Sequence, residues 1–234
     1  MDLKIVYEDE FCLIVNKPNN LLVHHSHYAR NIEEISLVEW LNLHYQHQAV
    51  PVHRLDRKTS GLILCAKNKQ HVSEFQQLFD QKLIQKHYLA LLRGHVPDSG
   101  LIDSPVKNER GNYKDAQSEF ECLLRIERPY LIPPYPSQRY SVVLFKPLTG
   151  RMHQLRIHAN KISHPIINDP KYGNRHHNHY FQEELQVSEL FLHAWKLEFN
   201  HPFLKKNIVV KTNLPNFWTN FLSNNEIQLL NLNY

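Results

Sequence analysis

Glycine is scarce in this chain. Six residues, Gly61, Gly94, Gly100, Gly111, Gly150 and Gly173, serve a sequence of 234. A globular protein of this size carries more at the average usage of about 7%, so each is expected to mark a turn of positive φ or a close backbone approach. Cysteine is scarcer. Cys12, Cys65 and Cys122 form no C-x-x-C pair, which excludes the common zinc and redox motifs; all three lie in apolar segments and read as reduced core residues. No apolar run approaches the roughly 18 residues of a membrane span. Residues 1–10, MDLKIVYEDE, lack the basic start and apolar stretch of a signal peptide. A Walker loop, a Rossmann fingerprint and internal repeats are also missing. These absences point to a cytoplasmic protein with no membrane association, no cofactor and no metal.

What is present is ordinary in bulk. Hydrophobic residues make up 42% and charged residues 21%, which suits a globular core of one large domain or two small ones. The net charge of +4 and pI of 8.9 are basic but fall just short of the usual nucleic-acid footprint. The 17 histidines are hydrogen-bonding and stacking groups that gain charge near a phosphate backbone, although compositional bias accounts for most of them.

Along the chain, "FCLIVNKP" reads as a buried strand ending at proline. "SLVEWLNLHY" predicts a helix, with Ser36 and Glu39 at capping-box spacing. "NKQHVSEFQQLFDQKL" predicts an amphipathic helix whose stripe is Val72, Phe75, Phe79 and Leu83. "KHYLALLRGHV", the alternating "SEFECLLRI", "RYSVVLFKPLTG" and "FLHAWKLEF" predict strands; "RMHQLRIHANKIS" and "NFWTNFL" predict helices. "RPYLIPPYPSQ" and "NRHHNHYFQEE" read as loop insertions. Strands and helices do not alternate as βαβ units. The expected fold is therefore α+β, with a mixed, mostly antiparallel sheet.

Three stretches carry candidate chemistry. "PVHRLDRKTSG" packs His53, Arg54, Arg57 and Lys58 around one acid, Asp56. Neighbouring cations favour the ionised carboxylate, which suits a nucleophile or base; an exposed ion pair worth about 0–1 kcal/mol explains the segment equally well. In "TGRMHQLRIHANKISHPIINDPKYG", helical periodicity puts Leu155, Ala159 and Ile162 toward the core and Arg156 on the face of Met152, Asn160 and Ser163. An arginine there can orient a carboxylate from another segment by bidentate contact, or belong to a solvated helix. His153 and His158 are five apart, poor spacing for one metal, and His176, His177 and His179 fit a polar surface loop better than a metal site. Tyr88 in "QKHYLALLRG" suits either a core aromatic or a stacking platform for a flipped base.

Taken together, "HRLDRKTSGLILCAKN", "KHYLALLRG", "TGRMHQLRIHANKISHPIINDPKYG" and "LFLHAWKLEFNHP" follow the order and approximate spacing of the RluA-type pseudouridine synthases, and the chain resembles that family over residues 5–202. The resemblance implies the pseudouridine synthase fold as a single catalytic domain over residues 1–234, with a central cleft flanked by helices and loops. It implies isomerisation of a uridine in structured RNA, without cofactor. Asp56 would be the catalytic aspartate and Arg156 the arginine paired with it. Tyr88 would stack on the flipped base, and Arg54 would push it out and fill its place. Arg57, Lys58 and His53 would contact RNA, and Leu192 would close the pocket. "NKPNNLLVHHS", "IERP" before "PSQRYSVV" and the lack of an S4-like segment at the start resemble the branch acting on uridine 65 of tRNA. Asn20 and Asn168 stand where relatives often carry glycine, and asparagine tolerates left-handed turns; Ser118 stands for a common threonine.

Other readings are a synthase for ribosomal RNA, a silent RNA-binding module on the same scaffold, and a glycoside hydrolase. The last needs two carboxylates, and Asp169, the nearest second one, reads better as a turn residue held by backbone hydrogen bonds. Tyr88, Asp56 and Arg156 are thus the expected catalytic set, RNA (tRNA first) the expected partner, and no protein partner is implied.

Overall fold

The computed structural model describes residues 3–25, 34–44, 49–108 and 110–232. The chain divides into two compact units, Met1–Lys86 with Ala194–Thr212, and His87–His193 with Asn213–Tyr234. The strands are β1 (Lys4–Glu8), β2 (Cys12–Lys17), β3 (Val50–Pro51), β4 (Ser60–Ala66), β5 (Gln85–Arg93), β6 (Ser99–Asp103), β7 (Val106–Lys107), β8 (Tyr113–Lys114), β9 (Gln117–Arg128), β10 (Gln138–Pro147), β11 (Leu192–Asn200) and β12 (Asn207–Lys211). The helices are α1 (Leu37–His44), α2 (Val72–Asp80), α3 (Gln154–Lys161), α4 (Arg175–Glu183), α5 (Asn216–Phe221) and α6 (Asn224–Leu232).

In the first unit the sheet runs β1-β2-β4-β11, with β3 on β4 and β12 on β11. Period-two burial builds its core: Cys12, Ile14, Leu62, Leu64, Leu197, Phe199, Ile208 and Val210 share one cluster with Phe75 of α2. Leu13, Val15, Ile63 and Cys65 are equally buried, so both faces of β2 and β4 are covered, and this is why these strands read as continuous apolar runs. Gly61 has φ +110, and a Cβ there would sit 2.2 Å from the Ala194 carbonyl oxygen. Only glycine lets β4 begin against β11. Asn20 (φ 65) and Asn168 (φ 59) take the left-handed conformation expected of them.

The α1 capping box forms: the Ser36 N–H donates to Glu39 Oε2 at 2.7 Å and the Glu39 N–H to Ser36 Oγ at 3.3 Å. Helix α2 is shorter than its apolar stripe. Lys82 turns left-handed (φ 58), and the Leu83 N–H closes back on the Leu78 carbonyl at 2.8 Å. This C-terminal lock swings Leu83 to 54% exposure, out of the predicted core face.

The second unit has β5, β10, β9 and β6 in that order, all antiparallel. A bulge opposite Val142 and Val143 interrupts the simple alternation predicted for β9; Cys122 is consequently only half-buried. Aromatic packing fills this unit. Tyr140 is fully buried, with Phe181 at 5.6 Å and Phe221 at 5.8 Å between ring centroids. Arg128 fastens the C-terminal helices, donating to the Phe221 carbonyl at 3.3 Å and to Glu226 at 2.7 Å.

Two elements depart from the sequence reading. Residues 175–183 form helix α4 and not a loop, because Asn174 accepts the N–H of His176 (3.0 Å) and His177 (3.2 Å) as an N-cap, while His177 and Phe181, four apart, bury one face. Helix α6 was not anticipated at all. Its signal was a second capping box: the Ser223 N–H donates to Glu226 Oε2 at 2.7 Å. Within the described residues no helix is long and apolar enough to cross a membrane.

Candidate active site

In the first unit the basic stretch of residues 51–61 forms a β-turn, closed by the Thr59 N–H on the Asp56 carbonyl at 3.0 Å. Asp56 is half-buried and Arg54 exposed. Arg57 is tied down: its Nε donates to the Asn20 carbonyl at 2.9 Å and its Nη2 meets Glu34 at 3.2 Å. Lys58 lies beside it, half-buried. His53 points inward. Its Nε2 accepts the Leu64 N–H at 2.9 Å, and its ring packs 4.6 Å from Phe79. Burial, helped by the Lys86 charge, pulls the imidazole pKa down to about 3, so a neutral ring pins the loop to β4.

Lys17, at the end of β2, is the component that sequence reasoning missed. It is a fully buried lysine. Its Nζ donates to the carbonyls of Pro18 (2.9 Å), Leu21 (3.1 Å) and Arg57 (3.0 Å), lashing the Asp56 turn to the turn at residues 18–21. Burial brings its pKa down to about 7, against the raising effect of the Asp56 charge. The only trace of this in the sequence was a charged residue closing an apolar strand. Lys17→Met is expected to lower stability by about 1–3 kcal/mol, since three carbonyls lose a shared donor in an apolar setting. Urea denaturation reads it, and a change below about 0.5 kcal/mol would mean the lashing contributes nothing.

In the second unit the H-Q-L-R-x-H stretch builds α3. His153 enters it in a left-handed conformation (φ 55) and meets the Tyr172 hydroxyl at 3.1 Å. Gln154 accepts from Thr149 Oγ1 (2.7 Å) and the Arg151 N–H (3.0 Å), and donates to the Gln117 carbonyl and Ser118 Oγ, both at 2.9 Å. His158 adds Ser118 Oγ at 3.0 Å and the Ser104 carbonyl at 2.9 Å. Gln154 and His158 therefore lock the helix to β9.

Arg156 is 5% exposed and Asp169 1%. They form a bidentate pair, Nε to Oδ2 at 2.7 Å and Nη2 to Oδ1 at 2.8 Å. Burial pushes the Asp169 pKa up, but the Arg156 hydrogen bonds and charge, with the N–H groups of Tyr172 and Lys171, outweigh this and hold it below the usual carboxylate range. The turn expected around Asp169 is present, with Arg156 as an additional partner. Both Asp169 oxygens are taken by Arg156 and main-chain N–H groups at 1% exposure, which does not suit the second free carboxylate that a glycosidase needs. Tyr88 is half-buried on β5 opposite Phe145 of β10, and Leu192 opens β11 at 3% exposure.

The H-P-I stretch explains how Asp169 reaches its place. The Arg93 N–H donates to the Pro165 carbonyl (3.0 Å), the Ile167 N–H to the Leu91 carbonyl (3.0 Å), and the Phe191 N–H to the Ile167 carbonyl (3.1 Å). This short extended segment is stitched between β5 and Phe191.

Among the described residues one group has metal-ligand composition, Asp9, Cys12 and His201. Its tautomer disfavours a metal. His201 Nδ1 accepts the N–H groups of Phe203 (3.2 Å) and Leu204 (3.0 Å), so Nε2 carries the proton and offers it to Asp9 at 3.2 Å. Burial keeps the Cys12 thiol protonated. The His176–His179 group is likewise split: His177 is buried, with Nδ1 at 3.2 Å from the Tyr140 hydroxyl, while His176 is exposed.

Comparison with known proteins agrees with the sequence resemblance. The family model for RNA pseudouridylate synthase matches residues 11–161. The tRNA pseudouridine synthase C of Haemophilus ducreyi is 35% identical, covering 93% of each chain. That of Pasteurella multocida is 35% identical over 95% of this chain and 96% of its own. Among solved structures, human RNA pseudouridylate synthase domain containing 1 superposes with a TM-score of 0.72 at 25% identity, over 100% of this chain and 96% of that one. The human domain containing 4 matches at 0.69 and 22%, over 97% and 92%. The α+β fold, the H-R-L-D and H-Q-L-R stretches and these relatives lead to one assignment: the chain belongs to the RluA-type RNA pseudouridylate synthases.

Proposed function

We propose that this protein converts a uridine of tRNA, at position 65, to pseudouridine in the cytoplasm. The observation that carries the reading is the 35% identity to tRNA pseudouridine synthases C along nearly the full length of both chains. A half-buried carboxylate held on a lashed turn among basic side chains supports it.

In the proposed reaction the C1′–N1 bond of the uridine breaks, the uracil rotates, and a C1′–C5 bond forms. The C5 proton leaves and N1 gains one, so the product is an isomer and no cofactor enters. A stacked base is out of reach, so it is first extruded, which costs a few kcal/mol. Arg54, Arg57 and Lys58 offset this through contacts to the RNA backbone, with Arg54 filling the vacated space. Tyr88 stacks on the extruded uracil, and Leu192 forms part of the apolar wall. Asp56 either adds to C1′ or removes the C2′ proton, with Arg156 as a further member of the proposed catalytic set.

The test is direct. Purified protein is incubated with unmodified tRNA and with ribosomal RNA, and pseudouridine is mapped by carbodiimide-primer extension; the RNAs of a knockout strain are mapped in parallel. We expect one modified tRNA position, lost in the knockout. Modification of ribosomal RNA alone would overturn the tRNA assignment, and no modification of either would favour a silent RNA-binding module.

A further inference from the structure

We propose that Asp169 is a positioning residue for the reaction: it fixes the plane of the Arg156 guanidinium, and with it the direction in which the opposite edge of that group presents its donors. This rests on the reading of Asp56 and Arg156 given above.

A guanidinium has five N–H donors arranged as a rigid fork. Asp169 takes one edge, Nε and one Nη2 proton, at 2.7 and 2.8 Å. The Nη1 protons and the second Nη2 proton form the other edge. They point away from Asp169 in the same plane, so the direction of Asp169 determines theirs. The Tyr172 ring lies 5.4 Å from the guanidinium carbon and adds a second contact.

The carboxylate that sets this direction is itself fixed from several sides. Its Oδ1 accepts the N–H groups of Lys171 (2.9 Å) and Tyr172 (3.0 Å). Its main-chain carbonyl accepts the Gly173 N–H at 3.0 Å and Asn178 Nδ2 at 2.8 Å. A Cβ on Gly173 would meet that carbonyl oxygen at 2.3 Å, so the turn closes only with glycine. Asn178 belongs to α4 and also accepts the Asn168 N–H at 2.9 Å. The loop is therefore held by a helix at one end and by the stitched segment of residues 165–167 at the other. Burial alone does not call for this arrangement. A buried ion pair is on average no more stabilising than apolar residues of similar volume, and α3 is already docked through Gln154, Leu155, His158 and Ala159.

The experiment compares Asp169→Asn, Asp169→Glu and Arg156→Lys in single-turnover assays at saturating tRNA, well below the melting temperature. Rates are expressed per tRNA-binding-competent enzyme, counted by stoichiometric titration. Asp169→Asn keeps the shape but loses the second acceptor and the charge; Asp169→Glu keeps the charge but displaces it by a methylene. We expect the rate constant of Asp169→Asn to fall about a hundredfold, the scale of a misplacement near 1 Å, with KM for tRNA changed less than about threefold, and Asp169→Glu to lie between it and the parent. An unchanged rate constant in Asp169→Asn with a reduced competent fraction would show a merely structural residue and overturn the inference. Should Asp169→Asn fail to fold, Asn178→Ala, which loosens the same carbonyl, is expected to lower the rate constant several-fold; no change would overturn it equally. If Arg156→Lys itself turns over at the parent rate, the failure lies with the underlying assignment of Arg156 and not with Asp169.

Discussion

Asp56→Asn is expected to lower pseudouridine formation by at least about a thousandfold, within the range attributed to a positioned acid or base, while tRNA affinity stays within a few-fold. The expectation follows from what the substitution leaves alone. The turn is closed through the main chain of Asp56 and Thr59, and it is held by the Lys17 bond to the Arg57 carbonyl and the Arg57 bond to the Asn20 carbonyl. The main-chain closure of the loop should therefore survive, while the amide loses the charge and the ability to add to C1′ or accept a proton. Filter binding and a pseudouridine release assay on the same preparation separate the two effects. Residual turnover near the parent rate would remove Asp56 from the reaction.

Arg156→Ala is expected to abolish turnover and, independently, to destabilise the fold by about 3–5 kcal/mol, because Asp169 is left as an uncompensated buried charge. The pH dependence gives the sign. In the parent, the folded-state pKa of Asp169 lies below the usual carboxylate value, so its contribution is present above that value and is lost as pH falls through the lowered one. Without Arg156 the burial effect dominates and the folded-state pKa rises. The buried carboxyl then prefers to be neutral, and the penalty grows as pH climbs above about 4. The melting temperatures of parent and variant should thus lie further apart near pH 8 than near pH 5. A gap that does not narrow toward acid would mean that the Asp169 charge is balanced by other groups.

Part of the candidate site is legible in the sequence. The H-R-L-D and H-Q-L-R stretches stand out because basic and acidic residues crowd into short segments, and local hydrogen bonding makes one a turn and the other a helix. Capping boxes at Ser36 and, unrecognised, at Ser223 are local in the same sense. Other elements were illegible for definite reasons. Leu83 matched the stripe of α2, but a left-handed Lys82 ended the helix before it. Residues 175–183 looked like a polar loop because the faces they bury are a histidine and a phenylalanine, and an asparagine N-cap is easily mistaken for a turn.

The chain itself determined the family, the basic turn around Asp56, the continuous apolar runs of β2 and β4, and the left-handed asparagines, all of which depend on neighbours a few residues away. Tertiary structure alone decided that Lys17 would hold the Asp56 turn across 40 residues of sequence, that His53 would face inward, and that Arg156 would share a carboxylate 13 residues on. Those partnerships exist because buried donors and acceptors must find one another wherever the packed chain brings them, and spacing along a sequence carries no record of that meeting.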